Sequence, residues 1–115
     1  MKQQIGLIGV GLMGHGIARN VLKHGYPLTV VEHPGNQPLD ELLRGGVRTV
    51  RTARELAAQA DVIILCVTGS PEVEAVLTGL GVRQVDVVAH DIGNMVAFQF
   101  AAQYPERVRR LVLID

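Results

Sequence analysis

Short apolar runs alternate along the chain with stretches whose apolar residues recur at helical spacing, the pattern of strand–helix–strand units that stack into a parallel sheet. Six runs read as strands. Ile5-Gly6-Leu7-Ile8 comes first. The stretch after it sets Met13, Ile17, Val21 and Leu22 on one helix face, turns Arg19, Lys23 and His24 outward, and stops at Gly25. Leu28-Thr29-Val30-Val31 is the second strand, and Leu39, Leu42 and Leu43 mark a short helix that ends at Gly45-Gly46. The run from Val47 to Arg51 carries two arginines, which suits an edge strand. Thr52-Ala53-Arg54-Glu55 has the form of a capping box and opens the next helix. The most apolar run, Val62 to Val67, is expected to be a central strand buried on both faces. Ser70-Pro71 predicts an N-cap with proline at the first helical position, the helix running through Val73, Val76 and Leu77 to Gly79-Leu80-Gly81. Val85 to Ala89 is the fifth strand. A helix to Gln103 follows, Pro105 forbids its continuation, and Leu111 to Ile114 is the sixth strand.

Together these elements predict a single α/β domain over residues 1–115, a doubly wound parallel six-stranded Rossmann-like sheet in the order 3-2-1-4-5-6. The Arg48-bearing strand and the Leu111–Ile114 strand are its expected edges. With 115 residues and 48% hydrophobic content there is room for one core. The aromatic share is 3% and tryptophan is absent, so Val, Leu, Ile and Ala must build it. Charges of both signs balance to zero and are scattered, which argues against a nucleic-acid partner. Cys66 is the single cysteine, which excludes an intramolecular disulfide and a multi-cysteine metal site and fits a reducing, cytoplasmic setting. Apolar runs fall far short of the ~20 residues that cross a bilayer, and no targeting segment is visible, so a soluble protein without a membrane partner is expected.

Gly9-Val10-Gly11-Leu12-Met13-Gly14 follows the first strand and opens the first helix, the context in which a Gly-x-Gly-x-x-Gly pattern points to a dinucleotide. Gly9 would serve the tight turn, Gly11 the approach of a pyrophosphate to bare backbone, and Gly14 close helix–strand packing. The amides of Leu12 and Met13 would then face phosphate oxygens at the positive end of the helix dipole. Glu32, at the end of the second strand, is placed to accept hydrogen bonds from adenosine ribose hydroxyls, and its charge would repel a 2′-phosphate. The same glycines also suit a tight strand-to-helix turn with no ligand.

Residues 5–79 resemble the N-terminal domain of the 3-hydroxyisobutyrate (β-hydroxyacid) dehydrogenases. Ile5 to Gly14, Ala18-Arg19-Asn20-Val21-Leu22-Lys23-His24-Gly25, Ala60-Asp61-Val62-Ile63 and Val73 to Gly79 carry the resemblance. It implies that Val67 and Thr68, with Gly69 and Ser70, line the cofactor. The family often has an Asn-Arg-Thr segment whose arginine takes a 2′-phosphate, where this chain has Glu32-His33-Pro34. NAD is therefore favoured over NADP, with His33 beside Glu32 as a further cofactor neighbour. The family's helical domain with its catalytic lysine has no counterpart here.

Residues 80–115 resemble α/β-hydrolases of the epoxide hydrolase and haloalkane dehalogenase kind. Ala89-His90-Asp91-Ile92-Gly93 has the spacing of a nucleophile elbow, and Asp91 matches the attacking aspartate. The histidine base, its orienting carboxylate and the oxyanion donors are not supplied, so Asp91 is expected to be a vestigial nucleophile. The two resemblances together predict a designed chimera joined between Leu77 and Gly81: a monomeric scaffold, not an enzyme, able to keep NAD binding. The alternatives are a natural or truncated NAD-binding module of a hydroxyacid dehydrogenase and a weak hydrolase using Asp91.

Overall fold

The computed structural model describes residues 2–33, 38–67, 69–90 and 92–114. In chain order the elements are β1 (Ile5–Ile8), α1 (Leu12–Lys23), β2 (Leu28–Val31), α2 (Asp40–Arg44), β3 (Arg48–Val50), α3 (Ala53–Gln59), β4 (Val62–Leu65), α4 (Ser70–Gly79), β5 (Val85–His90), α5 (Ile92–Gln103), a 3₁₀ turn (Pro105–Arg107) and β6 (Val108–Ile114). By internal packing the chain divides into two compact units, Met1–Val67 and Thr68–Asp115.

The first unit is a four-stranded parallel sheet in the order β3-β2-β1-β4. Its core joins the strand residues Leu7, Leu28 and Val30 to Val10, Ala18, Leu42 and Val47. The buried side of α1 runs through Gly14 and Ala18 with Val21 and Leu22 half-buried, so small residues bring the helix close to the sheet. Met13 falls one residue off that stripe, a turn of about 100°, and is 73% exposed rather than packed inward as its spacing suggests. Gly25, at φ 78°, closes α1 with its N–H donating to Leu22 O at 2.9 Å. The Thr52 hydroxyl oxygen accepts from the Glu55 amide at 3.1 Å and caps α3, while the Glu55 carboxylate accepts from the Thr52 hydroxyl at 3.2 Å.

The second unit pairs β5 and β6 in parallel with α4 and α5 beside them. Leu77, Ala97 and Phe100 are its buried apolar residues among those described, and the Phe100 and Tyr104 rings lie 5.2 Å apart. Arg107 donates to Val82 O at 2.8 Å, Arg83 O at 3.3 Å and the Thr78 hydroxyl at 3.3 Å, tying the 3₁₀ turn to the end of α4 and the loop after it. Asp86 on β5 accepts both Arg109 nitrogens, at 2.8 and 2.6 Å, and lies 3.4 Å from Arg110.

The six-stranded order 3-2-1-4-5-6 is corrected to a four-stranded sheet and a two-stranded sheet. The right-handed crossover rule governs how two parallel strands are joined when they share a sheet, but it supplies no hydrogen bonds between them. Among the described residues the six-residue β5 pairs with β6, and the four-residue β4 has β1 as its ladder partner. The Val62 run is consequently a shorter edge strand with Val62 exposed and Ile63 to Leu65 half-buried. The Arg48-bearing strand does edge the first sheet. β6 begins at Val108 instead of Leu111. Gly69, fully extended, takes the half-in position before α4, so Ser70 and Pro71 are the first and second helical residues, not cap and first residue.

Candidate dinucleotide site

β1 ends at Ile8, and three residues carry the chain into α1. Gly9 has φ 98°, a left-handed conformation, and a Cβ there would drive into the Cys66 carbonyl oxygen just past β4. Cys66 N–H donates to Ile8 O at 2.9 Å and holds the two strand ends together. Val10 is fully buried and anchors the loop from below. A Cβ at Gly14 would meet the Gly9 carbonyl oxygen, so the third glycine lets the helix close onto the loop itself. Gly11 differs from both. It is extended at φ −81°, and nothing lies within 4 Å of where its Cβ would stand.

Gly11 is also the N-cap of α1, without a side-chain cap bond and without an acidic residue in the first turn. The first amides of a helix have no intrahelical acceptors, so those of Leu12 and Met13 precede the ladder that starts with His15 N–H to Gly11 O at 2.8 Å. Open backbone beside uncapped donors at the positive end of the dipole is an anion cradle that a side chain at position 11 would fill.

Because the sheet is parallel, the carboxyl ends of β2, β1 and β4 lie along one rim. Glu32 follows β2 with its N–H pinned to Val50 O at 2.8 Å and its side chain exposed, and the exposed His33 is next to it. Val67, half-buried, follows β4. The structure thus gathers Gly9, Gly11, Leu12, Met13, Gly14, Glu32 and Val67 at one end of the sheet, whereas Thr68 and Asp91 lie outside the described residues. Sequence reasoning treated Cys66 as a redox marker and missed that its carbonyl dictates Gly9. Among the described residues no group of three His, Cys, Asp or Glu could hold a metal ion, and no helix is long and apolar enough to cross a membrane.

Residues 4–104 match the family described as the NAD binding domain of 6-phosphogluconate dehydrogenase. The chain is 38% identical over 76 residues to 2-hydroxy-3-oxopropionate reductase of Escherichia coli (strain K12), covering 66% of this chain and 25% of the relative. It is 31% identical over 109 residues to the NAD-dependent L-serine dehydrogenase of Pseudomonas aeruginosa, covering 95% of this chain and 35% of that protein. An imine reductase from Myxococcus stipitatus, solved as the V8 variant in complex with NAD+, shares the fold with a TM-score of 0.67 at 22% identity, over 94% of this chain and 39% of the other. The chain spans about a quarter to a third of the length of these curated relatives.

Two expectations fall with these matches. The junction placed between Leu77 and Gly81 is crossed by a family match that runs on to residue 104, and neither a hydrolase-derived segment nor an engineered origin gains support. The expectation of a protein with no enzymatic role is overturned too, since the relatives are a reductase and a dehydrogenase and the match is to an enzyme's cofactor domain. The hydrolase resemblance rested on a strand–turn–helix–strand text, and one parallel unit of that kind reads much like another when both are packed with small and branched apolar residues. With its glycine loop at the head of a parallel sheet and its match extending over residues 4–104, the chain belongs to the family of the NAD binding domain of 6-phosphogluconate dehydrogenase.

Proposed function

We propose that the chain is the dinucleotide-binding part of an oxidoreductase of the hydroxyacid dehydrogenase type, with NAD as the preferred cofactor. The single observation that carries the reading is the contrast among the three glycines of the loop: Gly9 and Gly14 are forced by their own neighbours, while nothing lies within 4 Å of a Cβ at Gly11, so packing does not demand glycine there. In this reading the backbone of Gly9, Gly11, Leu12, Met13 and Gly14 receives the pyrophosphate. Glu32 accepts the adenosine ribose hydroxyls with His33 next to it, and Val67 with Thr68 completes the set. The bound cofactor would supply the hydride chemistry, and the protein residues named here bind and orient it.

The names of the relatives, an L-serine dehydrogenase and a 2-hydroxy-3-oxopropionate reductase, support a small hydroxylated carboxylic acid as the substrate of the whole enzyme. Structures of similar fold have been solved with NAD+ and with NADPH, so the preference for NAD rests on the charge of Glu32. Calorimetric titration tests both parts. Gly11→Val is expected to abolish NADH binding without lowering the melting temperature, and Glu32→Gln to weaken NADH about tenfold while narrowing the gap to NADPH. Equal NADH affinity in the Gly11→Val variant would show that the nucleotide does not use this loop.

A further inference from the structure

We propose that His15 is a further ligand-contacting residue of this site, donating from its Nε2–H to a pyrophosphate oxygen, with Arg19 and Glu41 holding the ring in the tautomer that can donate. This rests on the glycine-loop reading above. Gly11, His15 and Arg19 stand at successive four-residue steps and so share one face of α1. His15 N–H bonds to Gly11 O, which sets the residue one turn above the loop. A helical side chain leans toward the helix N-terminus and covers the turn before its own Cα. For His15 that turn begins at Gly11, where the backbone is open.

The ring's other neighbour fixes which nitrogen carries the proton. Arg19 Nη2 lies 3.5 Å from His15 Nδ1. A guanidinium only donates, so a ring that takes part in this contact accepts at Nδ1 and, when neutral, carries its proton on Nε2. Arg19 is itself held by Glu41 of α2, Nε to Oε1 at 2.9 Å and Nη2 to Oε2 at 3.2 Å. Both partners of that pair are more than half exposed, so its contribution to folding is small. What it does provide is orientation: a two-point grip on Arg19 that places a donor against one side of the imidazole and leaves the other side's N–H for an anion. A bond from that N–H to a phosphate oxygen is charge-assisted and stronger than a neutral one.

NADH titration of the whole chain by calorimetry tests the assignment, with the melting temperature of each variant measured alongside. His15→Leu is expected to weaken NADH about tenfold. His15→Gln places its terminal amide nitrogen near the Nε2 position and should stay within about twofold of the native affinity, whereas His15→Asn reaches only the Nδ1 position and should match His15→Leu. Nitrogen-detected NMR of the ring should report the Nε2–H tautomer, and Arg19→Leu should convert it to a mixture with about a threefold loss of affinity. Native-like binding by His15→Leu in a protein whose Gly11→Val variant does not bind would overturn the role of His15 alone. Failure of the native chain to bind NADH would overturn the glycine-loop reading and this inference with it.

Discussion

The two compact units of the chain are built to different standards. In Met1–Val67 four parallel strands share one sheet, and among the described residues eight apolar ones from Leu7 to Leu56 are buried. In Thr68–Asp115 a single strand pair is accompanied by Leu77, Ala97 and Phe100 as buried apolar residues, while Met95 and Phe98 on α5 and Val88, Val112, Leu113 and Ile114 on β5 and β6 are exposed. A two-stranded sheet is marginal without further cover, whereas three or more strands with a packed face hold on their own. The first unit therefore has the rigidity to support a preorganised phosphate loop, and the glycine loop, His15, Glu32, His33 and Val67 all belong to it. The second unit keeps its shape through polar ties as well as packing, with Arg107 gripping carbonyls and Asp86 bridging to Arg109.

The sharpest way to break the first unit is at its loop. Gly9→Ala forces a left-handed φ on a residue with a side chain and also drives that side chain into the Cys66 carbonyl. Backbone strain and overpacking together are expected to cost roughly 4 kcal/mol or more. Gly46 has nearly the same φ, 97°, with nothing within 4 Å, so Gly46→Ala should cost only about 1–2 kcal/mol. Chemical denaturation of the two variants measures the difference. Equal losses would mean that strain alone, and not the close approach of β4 to the loop, selects glycine at position 9.

A second test separates the units. Phe100 is 1% exposed in the sparse core of the second, and Phe100→Ala is expected to remove about 3 kcal/mol. Hydrogen exchange should then accelerate in β5 and β6 while amides of β1 and β2 keep their protection. Leu7→Ala, in the dense core, should cost roughly as much but expose every strand of the first sheet together. Uniform acceleration across all six strands in the Phe100→Ala variant would show one cooperative core in place of two.

Legibility in the sequence follows the same division. β1, α1, β2 and the Gly45-Gly46 stop stand where periodicity and punctuation place them, because local pattern and ladder partners agree there. Met13 was misassigned since i, i+4 spacing identifies a face without saying which neighbour is buried, and Gly14 and Ala18 win the contact by being small. The Val62 run reads as central because it is apolar, yet centrality depends on a partner at its other edge, which no property of the run itself encodes. The glycine loop was legible as a motif. That Gly9 answers to Cys66, far along the chain, is a tertiary fact that spacing does not carry.

The smallest expected effect concerns the polar tie of the second unit. The hydrogen bonds from Arg109 hold the Asp86 carboxyl below its ordinary value of 3.8; desolvation opposes them, and the charges of Arg109 and Arg110 add to the lowering. A folded carboxyl that is more acidic than its unfolded counterpart favours the fold above 3.8 and loses that contribution as the pH falls through its folded value. The second unit should therefore weaken only under strong acid, and by little, because the group is solvent-exposed and screened. Arg109→Gln removes the leading hydrogen bonds, so the Asp86 midpoint, read from its carboxyl carbon by NMR, should climb toward 3.8 while β1 and β2 shifts stay unmoved. An unchanged midpoint would show that the bidentate pair does not persist in solution, and Arg107 would then stand as the tie that closes the second unit.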